Sequence, residues 1–266
     1  MRALKIFLAT ASALLLGVTM APSAHAAGGK YVALGDSYTV GVGTKTYDNP
    51  DDACRRGPLS YSRLWAAQHP DYNFVEASCS GDSTVEMLAN QVPQLTPDTS
   101  LVTVQVGGND VGFVDVLTNC VLTIDDADCL AGVEASKAAM AGYLPGQLQQ
   151  VYSAIRAGAP SAKVVAVGYP RLYAIGGNCG IFGLSDTERA ALNSAADTIS
   201  DVISAAAAQA GFTYLDPRPA FDAHSICSDG NDWVTSLEWS KINESYHPNT
   251  EGHRDGYLAL LNGITG

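Results

Sequence analysis

The sequence predicts an α/β domain: a mostly parallel sheet of five strands with helices covering both faces. Three observations carry this. Five short apolar runs are spread along the chain, longer helical patterns separate them, and 240 of the 266 residues remain once an N-terminal leader of 26 is set aside. That length suits one large domain with a single core.

The leader comes first. Arg2 and Lys5 form a basic n-region, Ile6 to Met20 is mostly apolar, and Ala24-His25-Ala26 supplies the small-x-small pattern that signal peptidase reads. Cleavage after Ala26 gives a secreted chain, 27–266, with no stable membrane anchor, since no later segment is apolar for long enough to span a bilayer. Lys30–Leu34 then reads as a buried strand ending at Gly35, and Asn73–Ala77 as a weaker one. Leu101–Val106 is rich in β-branched residues and stops at Gly107-Gly108. Lys163–Val167 stops at Gly168 and Pro170, and Phe212–Leu215 at Asp216-Pro217. Between them, Ser83 to Glu86 and Ser185 to Glu188 have capping-box spacing, in which a Ser side chain caps the helix and a Glu reaches back. Leu130–Ala157 and Ser185–Ala210 are long, Ala-rich helical stretches, and Asn249–Leu261 reads as a C-terminal helix. Ligands of such sheets sit at the carboxyl ends of the strands, so the loops after residues 34, 77, 106 and 167 form the functional rim.

Composition excludes some partners. The chain has 15 basic and 27 acidic residues, and loss of Arg2 and Lys5 with the leader takes the net charge from −12 to −14. Phosphate backbones need a basic surface, so nucleic acid is not an expected partner. All six cysteines lie in the mature part: Cys54, Cys79, Cys120, Cys129, Cys179 and Cys227. An even count behind a leader reads as disulfides. Of the 15 possible pairings, sequence neighbours make 54–79, 120–129 and 179–227 the simplest. No metal is expected, because neither Cys-x-x-Cys nor His-Glu-x-x-His occurs.

Four rim segments carry chemistry-bearing residues. Gly35-Asp36-Ser37 follows a buried strand and projects a Ser into the cleft, although Thr39 breaks the Gly-x-Ser-x-Gly elbow. Gly81 precedes a helix start, where a free backbone N–H can meet a developing oxyanion. Asn109, in Gly107-Gly-Asn-Asp110, offers a neutral side-chain donor of the same use. His247, in Glu244-Ser-Tyr-His-Pro248, is a candidate general base for Ser37, with Glu244 three residues earlier to orient its ring. His69, His224 and His253 lack such a setting and read as surface or helix positions.

In this order, the residues resemble the SGNH (GDSL-type) hydrolases, in particular the secreted actinobacterial GDSL lipases and phospholipases. The matching segments are Tyr31–Ser37, Gly81, Gly107–Asp110, Gly168-Tyr-Pro-Arg171 and Glu244–Pro248. The resemblance spans essentially the whole mature chain, and the three cysteine pairs also fit it. It implies a flavodoxin-like α/β/α sandwich, Ser37 as nucleophile, His247 as base, and an oxyanion hole made by the N–H groups of Ser37 and Gly81 and the side chain of Asn109. Many members have Asp three residues before the His, where this chain has Glu244. Some relatives use a backbone carbonyl instead, which leaves Ser245 or a neighbour as the alternative to Glu244.

The expected reaction is hydrolysis of fatty-acyl esters through an acyl-enzyme, without metal or cofactor, by a monomer. Val111–Leu122 is either an acyl-groove wall or a core helix. The alternatives are an acetyl esterase on plant polysaccharide, an acyltransferase, and a non-catalytic sugar-binding module using Trp65, Trp233 and Trp239 as stacking platforms.

Overall fold

The structure, a computed structural model, describes residues 28–122, 125–176, 183–228 and 230–266. The leader, residues 1–26, and Cys179 lie outside them. Five strands form one sheet: β1 (Lys30–Gly35), β2 (Asn73–Glu76), β3 (Thr99–Gln105), β4 (Lys163–Val167) and β5 (Thr213–Leu215). Every pair is parallel and the order is β2-β1-β3-β4-β5. The expected sheet was mostly parallel; the observed one is wholly so. The apolar runs occupy its centre because it is covered on both faces: all of β1 after Lys30 is buried, as is all of β4 after Lys163.

The helices are α1 (Ser37–Val40), α2 (Tyr61–Gln68), α3 (Thr84–Glu86), α4 (Phe113–Leu122), α5 (Asp126–Gly142), α6 (Leu144–Gly158), α7 (Asp186–Ala210), α8 (Arg218–Phe221) and α9 (Ala259–Thr265). On one side α5, α6 and α7 pack on one another, with α6 also against the turns at 87–94. On the other, α2, α8 and α9 gather around a π-helical stretch, Gly252–Leu258. Both expected capping boxes form, at Ser83 with Glu86 and at Ser185 with Glu188.

The helical stretch expected at Leu130–Ala157 divides at Tyr143. Pro145, in the first turn of α6, lacks the N–H that a continuous helix would use and tolerates only such a start. The disulfide Cys120–Cys129 ties α4 to α5, and Cys54–Cys79 ties the loop after α1 to the segment after β2. Among the described residues no helix is long and apolar enough to cross a membrane.

The strand order sets where a site can form. From β1 the chain crosses to β2 on one side, while β3 lies on the other. Loops leaving β1 and β3 therefore diverge and open a crevice at their carboxyl ends.

Candidate active site

Ser37 sits at that crevice, as the first residue of α1. Gly35 permits the turn before it: a Cβ there would lie 2.0 Å from Thr39 Oγ1. Asp36 caps the helix by accepting from Tyr38 N at 2.9 Å. Its other oxygen accepts from Tyr169 Oη at 2.5 Å, and burial pushes the Asp36 carboxyl up to about 7. Tyr169 Oη in turn accepts from Gly108 N at 3.4 Å, so the turn bearing Ser37 and the loop after β3 share one buried phenol.

His247 meets Ser37 from the far end of the chain, with Nε2 2.8 Å from Ser37 Oγ. Its Nδ1 lies 2.8 Å from the carbonyl oxygen of Ser245. A carbonyl only accepts, so Nδ1 carries the proton and Nε2 is left with a lone pair facing the hydroxyl. Tyr246 makes this possible. Its φ of 63° turns the chain so that residue 245 faces the ring of residue 247, a conformation a Tyr adopts only when its surroundings hold it. Tyr38 Oη donates to Tyr246 O at 2.6 Å, Tyr246 N donates to Thr235 O at 2.9 Å, and Thr235 N donates to His247 O at 2.9 Å. Burial lowers the imidazole to about 4 despite the Ser245 hydrogen bond, so the ring is neutral at physiological pH.

Glu244 does not hold the ring, which corrects the expectation of a carboxylate partner. Its side chain is buried and turned the other way. It accepts from Gly43 N at 2.9 Å, from Tyr47 Oη at 2.5 Å and from the guanidinium of Arg55. A buried carboxylate needs such partners, and three residues are too few to turn it back to the ring once they are satisfied. His253 takes the helix alternative, within the π-helical stretch Gly252–Leu258, but it is wholly buried rather than at the surface, stacked on Tyr61 and accepting at Nδ1 from Tyr61 N at 3.3 Å.

The three expected oxyanion donors border the same cleft as Ser37 and His247. Ser37 N is the first N–H of α1. Gly81 has φ 87°, which favours a glycine, and nothing lies within 4 Å of where a Cβ would be. Among the described residues neither amide N–H is engaged by a hydrogen bond. Asn109 Nδ2 donates to Asp82 O at 2.9 Å, which fixes the amide plane and leaves its second N–H for the cleft.

The cleft measures about 580 Å³. Its walls are apolar, with Phe113, Val114 and Leu117 from α4, Ile199 from α7, Leu172 from a loop and Ile242 from a 3-10 helix, Trp239–Glu244. The stretch 111–122 packs into the core and also borders the cleft: Leu117 and Cys120 are buried, while Val114 stands 56% exposed at the cleft. Of the tryptophans, Trp65 is buried against Tyr31, Trp233 stacks on His224 at 3.9 Å, and Trp239 is 72% exposed.

Sequence reasoning did not find Arg55, Tyr47, Thr235 or Gln91, because no local motif marks the groups they meet. Tyr169 falls in a segment that carried the family resemblance, but nothing in the sequence marked what it does.

The chain is similar to known lipases. A profile of the GDSL-like lipase/acylhydrolase family matches residues 33–254. The chain is 44% identical over 254 residues to lipase 1 of Streptomyces coelicolor, covering 95% of this chain and 93% of that one. Among solved structures it is similar to phospholipase A1 from Streptomyces albidoflavus, at 48% identity and TM-score 0.84, covering 88% of this chain and 98% of that one. It is likewise similar to an extracellular lipase from Streptomyces rimosus, at 43% identity and TM-score 0.85, covering 90% and 100%.

Proposed function

The chain belongs to the GDSL-like lipase/acylhydrolase family, and from that premise we propose a secreted carboxylic ester hydrolase acting on fatty-acyl esters, phospholipids among them, through a Ser37–His247 dyad. The observation that carries the dyad is the 2.8 Å approach of Ser37 Oγ to His247 Nε2 inside an apolar cleft. The extracellular lipase among its relatives and the disulfides support secretion, with residues 1–26 as the leader.

Ser37 Oγ attacks the ester carbonyl as His247 Nε2 takes its proton. The imidazolium so formed keeps its Nδ1–H on Ser245 O, which fixes ring orientation without a carboxylate. Charge builds on the carbonyl oxygen, where the Ser37 and Gly81 amides and the Asn109 side chain donate to it. One such donor is worth about 2.7–4 kcal/mol in the transition state. His247 then protonates the departing alcohol, and water, activated by the same nitrogen, cleaves the acyl-enzyme. The apolar walls favour a hydrocarbon acyl chain over the acetyl group of a polysaccharide ester.

The test pairs active-site labelling by a serine-reactive phosphonate with a hydrolysis profile. The profile runs over acyl esters of two to sixteen carbons, a phosphatidylcholine and an acetylated xylan. The expected result is labelling at Ser37, abolished in Ser37→Ala, with medium or long acyl esters preferred. A Ser37→Ala enzyme that keeps substantial activity removes the nucleophile assignment; preference for the xylan removes the substrate class.

A further inference from the structure

Gln91 is 1% exposed at the end of a short π-helical stretch, Met87–Gln91, and its side-chain amide is hydrogen-bonded on both sides. Its Oε1 accepts from Gly35 N at 2.8 Å, and its Nε2 donates to Gly35 O at 2.9 Å and to Asp82 Oδ2 at 2.7 Å. The ladder between β1 and β2 ends at Ala33 and Glu76. Beyond it, Gly35 O accepts from Cys79 N at 3.0 Å as well as from Gln91, while Gly35 N is taken up by the Gln91 side chain.

The two residues it joins flank the reacting groups. Gly35 lies two residues before Ser37. Asp82 follows Gly81, and its own carbonyl accepts from Asn109 Nδ2. The arms are joined once more beyond it, where Thr84 N and Oγ1 donate to the Asp110 carboxylate. One buried amide thus ties the nucleophile turn to the loop that bears the second donor and orients the third.

We propose that Gln91 is the positioning residue that sets the spacing of the Ser37 amide, the Gly81 amide and the Asn109 side chain, and so tunes transition-state binding without touching substrate. The proposal rests on the oxyanion-hole reading given above. Its mechanism is geometric: donors displaced by a fraction of an ångström lose most where charge develops and little where a neutral ester binds.

The decisive variant is Gln91→Glu. It keeps an acceptor for Gly35 N, loses both donations, and sets a second carboxylate against Asp82. The expected outcome is a fall in kcat of about tenfold to a hundredfold with KM within about twofold. The affinity for an alkylboronic acid, whose tetrahedral Ser37 adduct mimics the intermediate, should weaken in step with kcat. Active sites are counted by phosphonate titration, so an unfolded fraction does not enter the comparison. Adding Asp82→Asn to Gln91→Glu restores a hydrogen bond between the two side chains with donor and acceptor exchanged, and should recover part of both losses. Should Gln91→Glu not fold, Asp82→Ala, at a partly exposed position, removes the grip from the other end and should give the same kcat-selective loss.

Asn109→Ala is the control for the underlying reading. If it leaves boronate affinity unchanged, the oxyanion hole is misassigned. If it weakens boronate binding while the Gln91 variant stays within threefold of the parent in kcat and boronate affinity, the positioning role alone is overturned.

Discussion

At the scale of residues, the site turns on which group accepts the Nδ1 proton of His247. Glu244 is committed to Arg55, Tyr47 and Gly43, and the carbonyl of Ser245 accepts the hydrogen bond from Nδ1–H. Glu244→Gln should therefore keep kcat within about tenfold of the parent, near 1.4 kcal/mol, while lowering Tm because the Arg55 pair is lost. His247→Ala should be severe. Both are read on one short-chain ester at fixed pH, and a Glu244→Gln enzyme as impaired as His247→Ala would restore the triad. The base also fixes the acid side of the pH profile. Burial lowers His247 to about 4, so the acid inflection of kcat/KM, which reports the free enzyme, should fall below the ordinary 6.5. Another buried group titrating in this range is Asp36, pushed up by burial to about 7. Asp36→Asn keeps a helix cap and should leave the low inflection in place; an inflection at 6.5 or above in that variant would count against the neutral, buried base.

At the scale of elements, strands were more legible than helix breaks and loops. Each apolar run became a strand within two residues of its expected ends, because a doubly covered parallel sheet demands continuous β-branched and aliphatic residues. Both capping boxes were readable because their partners lie three residues apart. The division at Tyr143 was missed although Pro145 signals it, since the Ala-rich flanks on both sides keep helical character. Tyr246 at φ 63° was not legible at all: nothing in a Tyr announces a left-handed conformation, and it is held by Tyr38, far off in the chain, and by Thr235. The helix that walls the cleft gives a prediction of its own. Val114 on α4 borders the cavity, so Val114→Trp should shorten the acyl chain accepted. The ratio of kcat/KM for a long-chain to a four-carbon ester should drop by about tenfold, the order of a pocket's discrimination over a few methylenes. An unchanged ratio would move the acyl chain away from α4. Two cysteine pairs join neighbours in sequence, Cys54–Cys79 and Cys120–Cys129. Peptide mapping without reduction should recover the remaining pair, Cys179–Cys227, and recovery of either residue in another linkage would refute it.

At the scale of the whole molecule, the buried titratable groups set how stability varies with pH. His247 and His253 are held down by burial, to about 4 and about 3. Each takes up a proton near 6.5 once unfolded. Between these values the unfolded chain binds more protons, so their contribution is present above 6.5 and is lost as pH falls towards 4. Asp36 acts in the opposite sense: raised to about 7, it favours the folded state most below its unfolded value and loses that advantage as pH rises through 7. Two histidines against one carboxyl leave a net loss of stability on the acid side. Tm should therefore be highest near pH 6.5–7 and fall as pH drops to 4.5. His253 is the better handle on this slope, because it lies outside the reacting groups. His253→Gln keeps an acceptor for Tyr61 N but cannot take up a proton. Its Tm at pH 7 should be lower than the parent's, from lost stacking on Tyr61, yet its fall between pH 7 and 4.5 should be shallower. Parallel Tm curves for the two proteins would show that His253 takes no part in the acid transition, and would leave the slope to carboxylates whose ion pairs are broken by protonation.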